Sequence, residues 1–290
     1  MTVIELIDQM SARLEQAGVS FGHGTTNAFD EAAWLVLWAL GHPLDGLDTV
    51  ADLPVTDTKA AQAAALIERR IATRKPAAYL TGEAWLQGVP FSVDERVIVP
   101  RSLIAECIAD ASIDPWLGAD TSRVLDLCTG NGSLAVLAAM AWPEVEVTAT
   151  DLSADALAVA RINVRRHELQ DRITLLQGNG LAAVAGQAPF DLILCNPPYV
   201  NTASMAALPA EYRAEPSLAL AGGEDGMDFI RGLLRDAPAH MTPEAVLVLE
   251  IGNERAHFEA AFPALDVVWL PTSAGDDQVL LITREALATS

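Results

Sequence analysis

Arg123-Val124-Leu125-Asp126-Leu127-Cys128-Thr129-Gly130-Asn131-Gly132 is a short apolar run that breaks into a glycine-rich turn, with helical sequence behind it over residues 134–140. The pattern then recurs. Val145-Glu146-Val147-Thr148-Ala149-Thr150 reads as a second strand closed by Asp151, followed by a helix over 154–167. Further strand-like runs fall at 173–177, 191–195, 245–251, 266–270 and 278–283. Strands alternating with helices predict an α/β fold with a mostly parallel sheet covered on both faces. In such sheets ligands bind at the carboxyl ends of the strands, so chemistry is expected just after Leu127, Thr150 and Cys195.

Working back toward the start, the style changes. Residues 1–79 read as helical: Asp30 and Glu31 open a segment with Trp34, Leu35 and Trp38 on one face, and 58–73 is an alanine-rich helix carrying Leu66, Ile67 and Arg70. Gly41-His42-Pro43 breaks the chain between them. Residues 85–93 and 96–100 have β character, and the Gly88-x-Pro90 and Asp94-Glu95 interruptions suit a hairpin. The expected organisation is a helical domain over 1–80, a β-hairpin linker over 81–102 and the α/β domain over 103–290.

A chain of 290 residues with 51% hydrophobic and 20% charged residues can bury a good core. Its apolar runs are far shorter than the ~20 residues a membrane span needs. Acids in the first eight residues, without a basic stretch, argue against a secretory signal. Cys107, Cys128 and Cys195 have no paired spacing, which suits reduced thiols. A cytoplasmic location is therefore expected. The five histidines share no short motif with these cysteines, so no metal site is expected. Eighteen basic against 39 acidic side chains leave a net charge of −21. Such a surface repels phosphate backbones and attracts basic partners. Direct nucleic-acid binding and membrane association are not expected.

The turn at Asp126-Leu127-Cys128-Thr129-Gly130-Asn131-Gly132 has the makings of a nucleotide-cofactor site. Two glycines let the backbone approach a ligand, and the following helix offers free N–H groups. Asp151, 25 residues after Asp126, sits where a carboxylate accepts hydrogen bonds from two ribose hydroxyls. Nicotinamide dehydrogenases share this layout. Two features favour S-adenosylmethionine: Ala135 stands where a dinucleotide motif has its third glycine, and Asp126 adds a carboxylate that suits a sulfonium and an ammonium but would repel a pyrophosphate.

In Asp191-Leu192-Ile193-Leu194-Cys195-Asn196-Pro197-Pro198-Tyr199, a buried strand runs directly into Asn-Pro-Pro-Tyr. The prolines fix φ and remove backbone donors, leaving carbonyls as acceptors. The Asn196 side-chain oxygen and the Pro197 carbonyl can each accept one hydrogen of a substrate NH2, and Tyr199 offers an aromatic face to a flat group. Two acceptors that orient an NH2 make a delocalised lone pair available for attack. The site thus fits a planar nitrogen, with adenine and glutamine both allowed.

These residues resemble the amino-methyltransferases with an Asp/Asn-Pro-Pro-Tyr motif, which include DNA adenine methylases and protein glutamine methyltransferases. Ala78-Tyr79-Leu80-Thr81, Glu83-Ala84-Trp85, residues 91–102 and Glu211-Tyr212-Arg213-Ala214-Glu215-Pro216 look like the protein glutamine N5-methyltransferase family that acts on translation proteins. Phe21-Gly22-His23-Gly24-Thr25, the Val99-Pro100-Arg101-Ser102 form of the hairpin and Cys128 in the glycine loop look like the branch acting on ribosomal protein uL3. The fit is poorer to the branch acting on the GGQ motif of peptide-chain release factors, which remains the alternative. N6-adenine methylation of nucleic acid is a third reading, disfavoured by the charge.

The resemblance covers nearly the whole chain. It implies a class I methyltransferase fold, Rossmann-like with a seven-stranded mostly parallel sheet, using S-adenosyl-L-methionine and releasing S-adenosyl-L-homocysteine. It implies cofactor contacts from Asp126, Cys128, Thr129, Gly130, Asn131, Gly132, Asp151, Leu152, Asn179, Gly180 and Asn196. Asn196, Pro197, Pro198 and Tyr199 would hold the glutamine, with Asn196, Pro197 and Tyr199 catalytic and no metal. The N-terminal helices would recognise the protein substrate. Asn179 replaces an acid common in the family, and Gly180 lacks a side chain to cover the adenine. Glu250-Ile251-Gly252-Asn253 matches the family's Glu-x-Gly, to which the sequence assigns no role.

Overall fold

The computed structural model describes residues 1–289; Ser290, the end of the expected α/β domain, lies outside the described residues. The chain begins with helices α1 (Val3–Gln16), α2 (Ala28–Leu40), α3 (Leu47–Val50), α4 (Asp57–Thr73) and α5 (Ala77–Thr81). Local chemistry sets their ends. Thr2 and Glu5 form a reciprocal capping box at α1, while Asn27 caps α2 and Gly41, at φ 79°, stops it. Val3, Leu6, Ile7, Met10 and Leu14 recur at helical spacing along α1 and are buried among residues of α2 and α4.

Next come antiparallel strands β1 (Glu83–Leu86) and β2 (Val89–Ser92). The hairpin is tighter than the sequence reading placed it. Its turn is Gln87-Gly88, with φ of 49° and 75°, the backbone of a two-residue type I′ loop. Residues 96–100, read as the second strand, are irregular instead. Their geometry has a cause: Pro100 has no N–H, and the Val99 N–H donates to the Glu215 carboxylate at 2.8 Å rather than to a neighbouring strand.

The remainder contains strands β3 (Arg123–Leu127), β4 (Glu146–Asp151), β5 (Ile173–Gln177), β6 (Phe190–Cys195), β7 (Met241–Glu250), β8 (Val268–Thr272) and β9 (Gly275–Thr283). Around them lie α6 (Ile104–Ala109), α7 (Ser133–Ala141), α8 (Ala154–Arg166), α9 (Thr202–Ala207), α10 (Ala210–Arg213), α11 (Asp228–Asp236), α12 (Arg255–Ala261) and α13 (Arg284–Thr289). The seven strands form one sheet in the order β5-β4-β3-β6-β7-β9-β8. The first five are parallel, and β9 runs antiparallel to both neighbours. Two apolar layers flank the sheet. Val124 faces the layer built with α6 and α7, whereas Leu125 and Leu127 face the layer with α11 and α13.

The chain moves outward from β3 to β5 and then returns to β6 beside β3. That reversal opens a crevice between the carboxyl ends of β3 and β6, where Leu127 pairs with Cys195. The helical region is not a separate bead: its core takes in Ala156 and Val159 of α8.

Candidate active site

The loop after β3 is shaped from below. Asp126 is fully buried, and one of its oxygens accepts from Thr129 Oγ1 at 2.5 Å and from the Ala135 N–H at 3.1 Å. Its other oxygen has no hydrogen-bond partner among the described residues. Burial pushes this carboxyl up to about 7 despite the two donors. Asp126 therefore lies behind the cleft wall rather than in it, because the strand's alternation turns it toward the start of α7. The sequence reading has it contact a cationic ligand; in the structure it supports the loop through Thr129 and Ala135. Cys128 adopts a left-handed backbone at φ 59°, and Gly132 caps α7 at φ 81°. A Cβ on Gly132 would come within 3.2 Å of the Ala160 Cβ, so glycine suits both the left-handed φ and the close approach of the loop to α8. Asn163 of α8 secures it, donating to the carbonyls of Asn131 (2.8 Å) and Ser92 (3.0 Å) and accepting from the Ser92 N–H (2.7 Å).

Above the loop lies a cleft of about 1110 Å³, open to solvent at its mouth. Cys128, Thr129, Gly130, Asn131, Asp151, Leu152, Asn179, Gly180 and Asn196 line it; Asp126 and Gly132 do not. Asp151 ends β4 with Oδ2 accepting from the Gly130 N–H (2.9 Å) and Oδ1 from the Ser153 N–H (2.8 Å). This fixes the carboxylate against the loop, and burial raises its pKa. Leu152 is 49% exposed and Leu218 56%, yet both border the cleft, as does Phe229. Phe229 was not foreseen. Its ring lies 3.5 Å from where a Gly180 Cβ would stand, supplying an aromatic wall beside a residue that has none.

The Asn-Pro-Pro-Tyr turn is divided between the cleft and its surroundings. Asn196 and Pro198 line the cleft, and the Asn196 side chain makes no hydrogen bond among the described residues, leaving its amide group for a ligand. Pro197 is buried, and half-buried Tyr199 stands beside the cleft wall. The Tyr199 hydroxyl donates to Glu250 Oε1 at 3.2 Å, and burial followed by the Glu250 charge pushes its pKa above the ordinary tyrosine range.

The linker's exit forms another wall. Pro100, Arg101 and Ser102 border the cleft, and two carboxylates hold them there. Glu215 takes the Arg101 guanidinium and the Val99 N–H, while Glu250 takes Ser102 Oγ and the Leu103 N–H. Arg101 and Ser102 carried the family resemblance, but nothing in their spacing revealed that they would reach the site.

The parallel sheet, the crevice at its reversal point and the glycine loop define a methyltransferase of class I fold. A family model described as methyltransferase small domain matches residues 105–211, and one described as PrmC N-terminal domain matches residues 5–82. Ribosomal protein uL3 glutamine methyltransferase of Bordetella pertussis strain Tohama I is 54% identical, over 99% of this chain and 97% of the relative. The proteins of that description from Burkholderia pseudomallei and Xanthomonas campestris pv. campestris are 51% and 40% identical, covering 95% and 94% of their own lengths. The chain belongs to the ribosomal protein uL3 glutamine methyltransferase family. Among solved structures, the hMettl16 catalytic domain in complex with the MAT2A 3′UTR hairpin 6 shares the fold, with a TM-score of 0.51. Its identity is 14%, and the match covers 78% of this chain and 81% of that one.

Proposed function

We propose that this protein transfers the methyl group of S-adenosyl-L-methionine to the side-chain amide nitrogen of a glutamine in ribosomal protein uL3. The observation that carries the reading is the juxtaposition of the free Asn196 amide with the Cys128–Gly130 loop, across the reversal point between β3 and β6. Near-full-length identity with relatives of that description supports the substrate.

The cleft's donor set fits this cofactor. Asp151 would accept hydrogen bonds from the ribose hydroxyls, Leu152 and Phe229 would flank the adenine, and Asn179 would bond its edge. When bound, the cofactor supplies an electrophilic methyl group on a sulfonium.

An amide nitrogen is a poor nucleophile because its lone pair is delocalised into the carbonyl. The Asn196 oxygen and the Pro197 carbonyl would each accept one N–H of the substrate amide, directing its lone pair into the cleft. These acceptors strengthen as positive charge develops on the nitrogen, which is where stabilisation accelerates a reaction. The −21 net charge favours encounter with a basic ribosomal protein. In this reading residues 1–80 engage the protein substrate, residues 81–102 link them to the site, and the enzyme works in the cytoplasm on ribosome components. Among the described residues no helix is long and apolar enough to cross a membrane.

Incubating purified uL3 and a release factor separately with labelled cofactor tests the reading. Label on a uL3 glutamine is expected; label on the release factor alone overturns the choice of substrate. Mass spectrometry of uL3 from cells with and without this protein identifies the modified residue.

A further inference from the structure

Glu250, the last residue of β7, is buried, and its carboxylate joins two parts of the site that are distant in sequence. Oε2 accepts from Ser102 Oγ at 2.5 Å and from the Leu103 N–H at 2.9 Å, while Oε1 accepts from the Tyr199 hydroxyl at 3.2 Å. Two residues on, Gly252 sits at φ 53° against the Tyr199 ring, and a Cβ there would come within 2.5 Å of ring Cε2. The backbone of Tyr199 is equally enclosed. A Cβ on Gly226 would lie 2.2 Å from the Tyr199 carbonyl oxygen, and one on Gly222 would lie 2.7 Å from its Cα.

We propose that Glu250 is a positioning residue for methyl transfer: with Gly252 clearing space for the ring, it seats Tyr199 and ties it to the cleft wall at Ser102. The proposal rests on the glutamine-methylation reading above. A tyrosine ring has one polar handle, its hydroxyl, and flat apolar faces that slide unless something fixes them. Gly252 allows backbone to approach one side of the ring, and Glu250 holds the hydroxyl end. The carboxylate is needed because both of its oxygens must accept. In Glu250→Gln the Leu103 N–H claims the amide oxygen, so the NH2 turns to Tyr199 and reverses that hydrogen bond. This gives the Glu-x-Gly motif a purpose: its first residue orients the aromatic neighbour of the amide site, and its third leaves room for it.

The test is a double-mutant cycle with Glu250→Gln and Tyr199→Phe, measured on uL3. Each single variant is expected to lose about tenfold in kcat while its cofactor Kd changes less than about twofold, and the double variant to lose little more than either. Additive losses, or full kcat in Tyr199→Phe, overturn the proposal. An activity-independent readout keeps it separable from the choice of substrate. The chain has three tyrosines, so 13C ring labelling gives three signals, and Tyr199→Phe identifies one of them. Glu250→Gln should shift that signal most, and Ser102→Ala should shift it less. An unmoved Tyr199 signal in folded Glu250→Gln protein overturns the positioning role, whereas failure of the wild type to methylate uL3 overturns only the substrate.

Discussion

Arg101 and Glu215, 114 residues apart in sequence, meet as a two-pronged pair, Nη1 donating to Oε1 at 2.7 Å and Nη2 to Oε2 at 2.8 Å. His23 from the N-terminal region approaches the same carboxylate at 3.5 Å and packs its ring 4.3 Å from that of Tyr212, centroid to centroid. One buried carboxylate thus joins the helical region, the linker's exit and the segment that follows the Asn-Pro-Pro-Tyr turn.

Removing that charge should be costly. Burial alone would raise the Glu215 carboxyl, but His23 and Arg101 outweigh it and hold it at about 2. Its folded-state pKa lies below the ordinary 4.5, so its contribution is complete above that pH and is lost as pH falls from 4.5 toward 2. Glu215→Gln should cost about 3 kcal/mol at pH 7, with Arg101 left partly unpaired, and the cost should shrink at pH 3. Urea unfolding at the two pH values measures both effects.

Asp126 has the opposite sign. Its carboxyl is at about 7 in the folded protein against 3.8 ordinarily, so the folded state binds more protons between those values. Stability should therefore fall as pH rises from about 4 through 7. Asp126→Asn keeps an acceptor for Thr129 and Ala135 but does not ionise, and it should flatten this slope. Melting temperature against pH for the two proteins is the measurement; parallel curves would contradict the assignment.

Asn196→Ala should retain most cofactor affinity and lose most turnover, about a hundredfold or more in kcat, because the lost acceptor matters most as charge develops on the nitrogen. Calorimetric cofactor binding together with single-turnover methylation separates the two effects. Near-normal turnover would refute the role assigned to Asn196.

Arg70 is fully buried and serves two acids, Nε donating to Glu31 at 2.8 Å and Nη1 to Glu211 at 3.3 Å. It also donates to the Ser20 carbonyl at 2.8 Å. Arg70→Met fills much of the space but takes the hydrogen-bonded cation from buried Glu31, which keeps Thr25, whereas Glu211 keeps Arg74 and the Ser20 N–H, so a loss of about 3 kcal/mol is expected. Hydrogen exchange should quicken around residues 18–25 and 209–216 before it does in the sheet.

The helical region shares its core with Ala156 and Val159, so deleting residues 1–75 would bare apolar surface on α8 as well as remove the helices proposed to dock the substrate. Point variants on the exposed helix faces are the cleaner probe of substrate recognition.

Much of this architecture was legible in the chain because it depends on neighbours in sequence. The alternation of apolar runs and helices gave the sheet, Gly130 and Gly132 marked the turn after β3, and Asn196-Pro197-Pro198-Tyr199 marked the turn after β6, since each motif carries its own backbone constraint. The hairpin was misplaced by several residues because positive φ at Gln87, a non-glycine residue, leaves no compositional trace. The sequence identifies Asp126 as a carboxylate at a strand's end, whereas the side to which it turns, toward Thr129 and the start of α7, is set by the tertiary structure. What only the tertiary structure decided were the encounters at long separation: Phe229 beside Gly180, Arg101 with Glu215, Arg70 with Glu31 and Glu211, and Glu250 between Ser102 and Tyr199. Such pairings are set by how layers stack around one sheet, and an ionic side chain is buried only where that stacking happens to bring its partner.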